Sequence, residues 1–422
     1  MICVSTRGRA PAVSFREAIV AGLAPDGGLY VPQTLPRLND AWWQRQRGRS
    51  FQDVAVATAE EIAGDEFDRG MLSSLVREAL NFPVPIVDLD DRLSVVELFH
   101  GPTFAFKDFG ARTLARLMAD LNRGADPLTV LVATSGDTGG AVAHAFFGVP
   151  GTSVVVLYPE GQVSDVQEAQ FTTLGGNVTA VAVRGSFDDC QRLVKKAFGH
   201  RALSSRRRLT SANSISLGRL LPQVFYYAYA ATRGAEPPVI SVPSGNFGNL
   251  AAGVMAWKLG APIARFLAPT TINDTVPRFL ATGRVEPRPS TPTLANAMDV
   301  GNPSNLERLQ WLFGGDVQAM RQLISSTAHT DDDVRRAIEE LYERFQYVAD
   351  PHTAIAYLGS QPSEPLERRM FLSTAHPAKF REVVEPAINK TVQLPAALAE
   401  TLSRAKVVLH IGPDLAELAE LL

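Results

Sequence analysis

Short, wholly apolar runs alternate along this chain with segments of helical periodicity, and few folds accept that pattern. PLTVLVATS (127–135), TSVVVLYP (152–159) and VTAVAVRG (178–185) are apolar along most of their length rather than at alternate positions. Such strands are covered on both faces. TGGAVAHAFFG (138–148), SDVQEAQFTTLGG and FDDCQRLVKKAFG (187–199) carry the helical repeat between and after them. PPVISVPSG (237–245) with NLAAGVMAWKLG (249–260) repeats the unit, and IARFLAPT (263–270) adds a strand. Strands and helices in this order make parallel sheets with helices on both faces, so the fold class is α/β.

The first ninety residues read differently. An amphipathic helix, Phe15 to Leu23, is followed by a DGG turn and a strand ending at Pro32. Helical patterns cover 51–64 and 68–82, and FPVPIVDLDD closes this N-terminal α+β segment before LSVVELF (93–99), a strand. After residue 330 the chain turns helical, with a last strand in KVVLHIG. The pattern divides the chain at about residues 90 and 380, with a smaller α/β subdomain near 110–230 and a C-terminal extension, 381–422.

At 422 residues and a formal net charge of -3, the chain offers no electrostatic case for nucleic acid or an anionic membrane. RGRS (47–50) and SSRRRL (204–209) are short basic clusters of the kind found on solvated surfaces. The apolar run LLPQVFYYAYAA (220–231) is too short to span a bilayer, and the polar N-terminus argues against a secretory leader. Two cysteines make no disulfide framework, and seven scattered histidines make no metal site. These features predict a cytoplasmic protein without a bound metal; a monomer or a homodimer is the expectation for its assembly, which nothing in the sequence decides.

HGPTFAFKDFGARTLARLM (100–118) sets one lysine, Lys107, among Phe104, Phe106 and Phe109, just before a helical repeat running on from Gly110. Asp108 is a good N-cap residue type, which places Lys107 at or just before the helix start. The helix dipole and an apolar surround both lower a lysine pKa, as an amine nucleophile requires. A surface lysine beside a helix start is the plainer reading of this stretch alone. SGNFGN (244–249) joins a strand to a helix, so its glycines and helix N-terminus suit a phosphate, yet it is neither a Walker loop nor a dinucleotide fingerprint. SGDTGG (135–140) repeats the form with Thr134, Ser135 and Thr138 as hydroxyls for an anion, or with Asp137 or Thr138 as a simple cap. SANSISLGR (211–219) offers Asn213, Ser214 and Arg219 for an oxyanion, with capping as the alternative. A perturbed lysine, a non-nucleotide phosphate cradle and separate anion loops together suggest pyridoxal phosphate acting on an amino acid.

With these motifs the sequence resembles the threonine synthase family, pyridoxal-phosphate enzymes of the tryptophan-synthase-β fold type. The resemblance runs through DGGLYVP, HGPTFAFKDFGA, TSGDTG, NSANSISLGR, VPSGNFGNL, NDTVPRF, AMDVGNPSN, DPHTA and STAHPAKF. It implies two parallel-sheet subdomains of the second pyridoxal-phosphate fold type with the active site between them. It implies that Lys107 carries the cofactor and moves protons, that Ser244, Gly245, Asn246, Phe247, Gly248 and Asn249 cradle the cofactor phosphate, and that Thr374 meets the pyridine nitrogen. Thr134, Ser135 and Thr138 would hold the substrate's carboxylate, and Asn213, Ser214 and Arg219 its phosphate. Asp137 stands where many relatives have asparagine beside the cofactor's ring oxygen, and a carboxylate there repels a phenolate unless a proton is shared. The implied reaction takes O-phospho-L-homoserine and water to L-threonine and phosphate. A phospholyase releasing a 2-oxo acid would share nearly every motif.

Overall fold

A computed structural model of the chain describes every residue except 201–202, 204–206 and 362–366, so the basic cluster at 204–209 lies partly outside the described residues. The N-terminal segment is built on three antiparallel strands, β1 (Ile2–Ser5), β2 (Val13–Ser14) and β3 (Tyr30–Pro32), in the order β2-β1-β3. Its helices Phe15–Ala21, Phe51–Ala63 and Arg69–Ala79 begin where Ser14, Ser50 and Asp68 each accept a hydrogen bond from the amide three residues on. Each such cap is worth about 1 kcal/mol. The first helix stops two residues before its apolar pattern does, because Gly22 turns to a φ of 70°.

The next two strands, β4 (Ile86–Asp88) and β5 (Leu93–Glu97), pair antiparallel. Then come β6 (Leu128–Ala133), β7 (Thr152–Pro159), β8 (Val178–Val183) and β9 (Arg208–Ser211). Five more complete the set: β10 (Val239–Ser241), β11 (Arg265–Leu267), β12 (Ile324–Ser325), β13 (Arg369–Ser373) and β14 (Leu409–Ile411). They form two sheets. One is entirely parallel, in the order β14-β8-β7-β6-β9; the other, β12-β11-β10-β13-β5-β4, is parallel except at its β4 edge. Residues 128–133 of β6 are buried without exception, as an apolar strand covered on both faces must be.

The sequence pattern located β3, β5, β6, β7, β8, β10, β11 and β14, but not β9, β12 or β13. RMFLS lies at the centre of the six-stranded sheet, between β10 and β5, and is buried throughout. Being only five residues long and next to a polar segment, it had no periodicity to display. The segment 381–422 reaches across the molecule. Its helix Arg381–Ile388 packs on Asp331–Phe345, while β14 pairs with β8 at the edge of the other sheet.

Parallel strands put their C-terminal ends on one side of each sheet, where ligands of such folds bind. The loops that follow β6, β9, β10 and β13 are the motif-bearing stretches 134–136, 212–216, 242–247 and 374–376. An aromatic cluster anchors the lysine helix below them. Phe109, fully buried, meets Phe51 edge-on at 5.6 Å, Phe82 at 5.0 Å and Tyr226 at 5.1 Å. Each pair contributes about 0.5–1.5 kcal/mol beyond burial. The N-terminal segment is thereby fastened to the helix that carries Lys107.

Candidate active site

Lys107 is the first residue of the helix Lys107–Leu121, and its N-cap is Phe106, which has no capping side chain. Asp108 is therefore not the cap that its residue type suggested. It sits in the first turn, fully buried, and its carboxylate folds back to accept from the Thr103 amide at 2.9 Å and the Thr103 hydroxyl at 2.7 Å. Burial pushes its pKa up to about 6 in spite of those bonds. The loop before Lys107 is strapped to the end of β13: the Phe106 amide donates to the Thr374 carbonyl at 2.9 Å, and Ala105 bridges Ala375. Thr374 is thus held one residue from the lysine in space, although 267 positions separate the two in the chain.

The Lys107 ammonium lies 3.9 Å from Asp137 Oδ2 and 5.7 Å from the Phe106 ring centre. Burial lowers its pKa to about 8; Lys379 and Arg219 add to the fall, and Asp137 and Asp350 oppose it. Asp137 begins the helix Asp137–Phe146, with Gly136 at φ 141° as its cap. Burial disfavours the Asp137 carboxylate, but Lys379 and Lys107 hold it well below the usual range. Its Oδ1 accepts from Lys379 Nζ at 2.5 Å and Gln167 Nε2 at 3.0 Å. Thr134 turns into its own loop, accepting from the amides of Gly136 at 2.9 Å and Gly139 at 2.8 Å. Ser135 and Thr138 are partly exposed on the same turn.

The second loop, 244–247, leads into the helix Gly248–Lys258 through Phe247 in the left-handed region (φ 59°, ψ 11°). Ser244 is spent locally, its hydroxyl donating to the Val242 carbonyl at 2.8 Å. Among the described residues the amides of Gly245, Asn246 and Phe247 meet no protein acceptor, and the helix behind them adds the unpaired amides of its first turn. A left-handed residue ahead of a helix gathers such amides into an anion-binding concavity. Asn246 is fixed on both sides, donating to Ser214 Oγ at 2.5 Å and accepting from the Ser304 amide at 2.6 Å. Asn249 Oδ1 accepts from the Tyr226 and Tyr227 hydroxyls at 2.6 Å each, and its buried Nδ2 has no partner among the described residues.

Asn213 donates to the Ala133 carbonyl at 3.3 Å, so the third loop is tied to the first. Arg219 is buried rather than an open fork: Nη1 donates to the Ala212 carbonyl at 2.6 Å, and burial lowers its pKa to about 10, with Asp108 opposing. Asn213 Oδ1, Ser216 Oγ and Arg219 Nε are buried without hydrogen-bond partners among the described residues. Buried polar atoms are almost always satisfied in folded proteins, so an unpartnered set beside an array of free amides fits an anionic group. The described residues therefore suit a phosphate-bearing cofactor attached at Lys107. No cluster of three metal-ligating side chains occurs among them.

Several residues of this site went unnoticed in the sequence. Lys379 lies in STAHPAKF and Gln167 in the helix after β7, but nothing in either stretch marked them as neighbours of Asp137. Arg308 is fully buried and donates to the carbonyls of Tyr30 at 2.9 Å and Ile215 at 2.8 Å, and to Asn305 Oδ1 at 2.5 Å. It joins the N-terminal segment to the third loop. In DPHTA, Asp350 caps its helix and accepts from His352 Nδ1 at 2.6 Å, while His352 Nε2 accepts from the Ala297 amide at 3.3 Å.

Residues 85–368 match the family described as pyridoxal-phosphate dependent enzyme. The fold and this site define a protein of that class, one that binds pyridoxal phosphate. Residues 3–80 match threonine synthase N terminus, and 352–422 match threonine synthase, C-terminal. Threonine synthase from Escherichia coli (strain K12) is 42% identical over 97% of this chain and 96% of its own, and that of Serratia marcescens is 45% identical over 92% and 91%. The crystal structure of the Escherichia coli protein superposes with a TM-score of 0.95 at 41% identity, covering 100% of this chain and 99% of that one. A pyridoxal-phosphate-bound threonine synthase from Brucella melitensis gives 0.94 at 36% identity, covering 100% and 98%. The chain belongs to the threonine synthase family.

Proposed function

We propose that this enzyme converts O-phospho-L-homoserine and water to L-threonine and phosphate with the residues assembled above. The observation that carries the reading is Lys107. It is a largely buried amine with a pKa near 8, facing a carboxylate, among loops at the C-terminal ends of two parallel sheets. Bound pyridoxal phosphate supplies an electron sink for the bonds broken at the substrate's α- and β-carbons. Lys107 Nζ would hold the cofactor and, once the substrate's amine has taken its place there, would be free to take the proton from the α-carbon. An amine of pKa about 8 is neutral in about one molecule in ten at pH 7, so a base is at hand without a large penalty. The amides of Gly245 to Asn249 hold the cofactor phosphate at a helix N-terminus, where negative charge is favoured. Thr374 offers a neutral hydroxyl to the pyridine nitrogen. Ser135 and Thr138, on a turn shaped by Thr134, bind the substrate's carboxylate, and Asn213, Ser214 and Arg219 its phosphate.

Both cysteines, Cys3 and Cys190, are free and buried, which supports a cytoplasmic protein. No helix among the described residues is long and apolar enough to cross a membrane. The test is product analysis with O-phospho-L-homoserine and pyridoxal phosphate. Threonine and phosphate in equal amounts are expected; 2-oxobutanoate with phosphate would make the enzyme a phospholyase. Lys107→Ala is expected to lose turnover and the visible absorbance of the lysine-linked cofactor, and retention of either would remove Lys107 from its role.

A further inference from the structure

Lys379 has no part in the assignments above, yet it is a fully buried cation that shares Asp137 with Lys107. Its side chain has no exposed surface, and its ammonium donates to Asp137 Oδ1 at 2.5 Å and to the Thr103 carbonyl at 3.0 Å. Asp137 is consequently shared: one oxygen belongs to Lys379, and the other lies 3.9 Å from Lys107. An ammonium has three N–H groups, so one of Lys379's remains after these two acceptors. By its own covalent structure, pyridoxal phosphate carries a ring hydroxyl next to the carbon that a lysine amine takes up. That oxygen must lie close to the groups around Lys107 Nζ, and a lone carboxylate there would repel its anionic form.

We propose that Lys379 is a positioning residue that keeps Asp137 ionised and offers its remaining N–H to the cofactor's ring oxygen. The Asp137–Lys379 pair, rather than the aspartate alone, then faces that oxygen. Being neutral overall, the pair repels neither an anionic ring oxygen nor the Lys107 amine. Charge-assisted bonds of this length fix both partners, and removing one partner of a buried pair strands the other. Other titratable groups surround the three. Lys107 also faces Arg219 and Asp350; Asp137 faces His352; Lys379 faces Asp108, His144 and His376. The proposal rests on Lys107 being the cofactor lysine, which Lys107→Ala tests separately.

Three variants, Lys379→Met, Asp137→Asn and the double variant, decide it through two readouts that need no turnover. One is the dissociation constant of pyridoxal phosphate for the apoprotein. The other is the pH midpoint for acetylation of Lys107 in the apoprotein, read by mass spectrometry. Lys379→Met is expected to weaken the cofactor at least tenfold and to raise the Lys107 midpoint by a unit or more, since a cation is lost and the carboxylate stays. The double variant is expected to recover most of the affinity, a rescue that a merely structural lysine would not give. An unchanged cofactor affinity in Lys379→Met, or a double variant no better than that single variant, would overturn the proposal. Should Lys379→Met not fold, the midpoints still decide: Asp137→Asn must titrate below the wild type, and the double variant above Asp137→Asn. Coincident midpoints would refute the coupling.

Discussion

Gly245→Ala isolates the proposed phosphate cradle from the rest of the chemistry. Gly245 is not among the residues with positive φ, so an alanine adopts its backbone without strain and the whole cost is contact. A Cβ there would lie 2.5 Å from Met298 Cα and 3.1 Å from the Met298 carbonyl. Carbon atoms rest at about 3.5–4.0 Å, so the two backbones must part by about 1 Å. Neither side yields freely. The Met298 amide is bonded to the Ala295 carbonyl at 2.8 Å, and Asn246 grips the Ser304 amide at 2.6 Å. Overpacking of this kind costs about 1–3 kcal/mol. If the loop relaxes in the apoprotein and must be forced back around the phosphate, that cost appears in cofactor binding as an approximately 5- to 150-fold rise in Kd. The assay is titration of apoprotein with pyridoxal phosphate, followed by visible absorbance, beside a thermal melt of the apoprotein. Unchanged cofactor affinity together with an unchanged melt would refute the reasoning, because the collision would then have no consequence in either state.

Three further outcomes follow from the geometry. Arg219→Ala is expected to raise KM for the phosphorylated substrate much more than it lowers kcat, and steady-state kinetics showing an unchanged KM would place the phosphate site elsewhere. Asp108 has a folded-state pKa raised from 3.8 to about 6, so its stabilising contribution is full below pH 4 and lost as pH rises through 6. Asp108→Asn should therefore gain on the wild type across that window, by about 3 kcal/mol at most, in denaturant melts compared at pH 4 and pH 7. Arg308→Met leaves the carbonyls of Tyr30 and Ile215 buried without donors, and chemical denaturation should show a loss of about 3 kcal/mol; a loss under 1 kcal/mol would mean that water replaces the guanidinium.

Legibility in the sequence followed the range of the interactions. β7 is found at the residues its apolar run marks out, and Phe187–Gly199 is the helix read from its spacing, because burial of a strand on two faces or a helix on one is written in adjacent residues. The glycine-rich loops were legible for the same reason, since strand, loop and helix follow one another directly. Asp108 misled, because an N-cap residue type also suits a buried carboxylate that accepts from Thr103. Lys379 and Gln167 gave no signal at all: each acts on Asp137 from a separate segment, and neither has a local pattern to betray it.

Taken by itself, the sequence determined the α/β class and pointed to the cofactor and to Lys107 as the candidate to hold it, through local periodicity and contiguous motifs. Only the tertiary structure decided the electrostatics of the site. Charges from residues 107, 137 and 379 meet within one buried cluster there, and a lysine's proton affinity depends on distances and burial rather than on position along the chain.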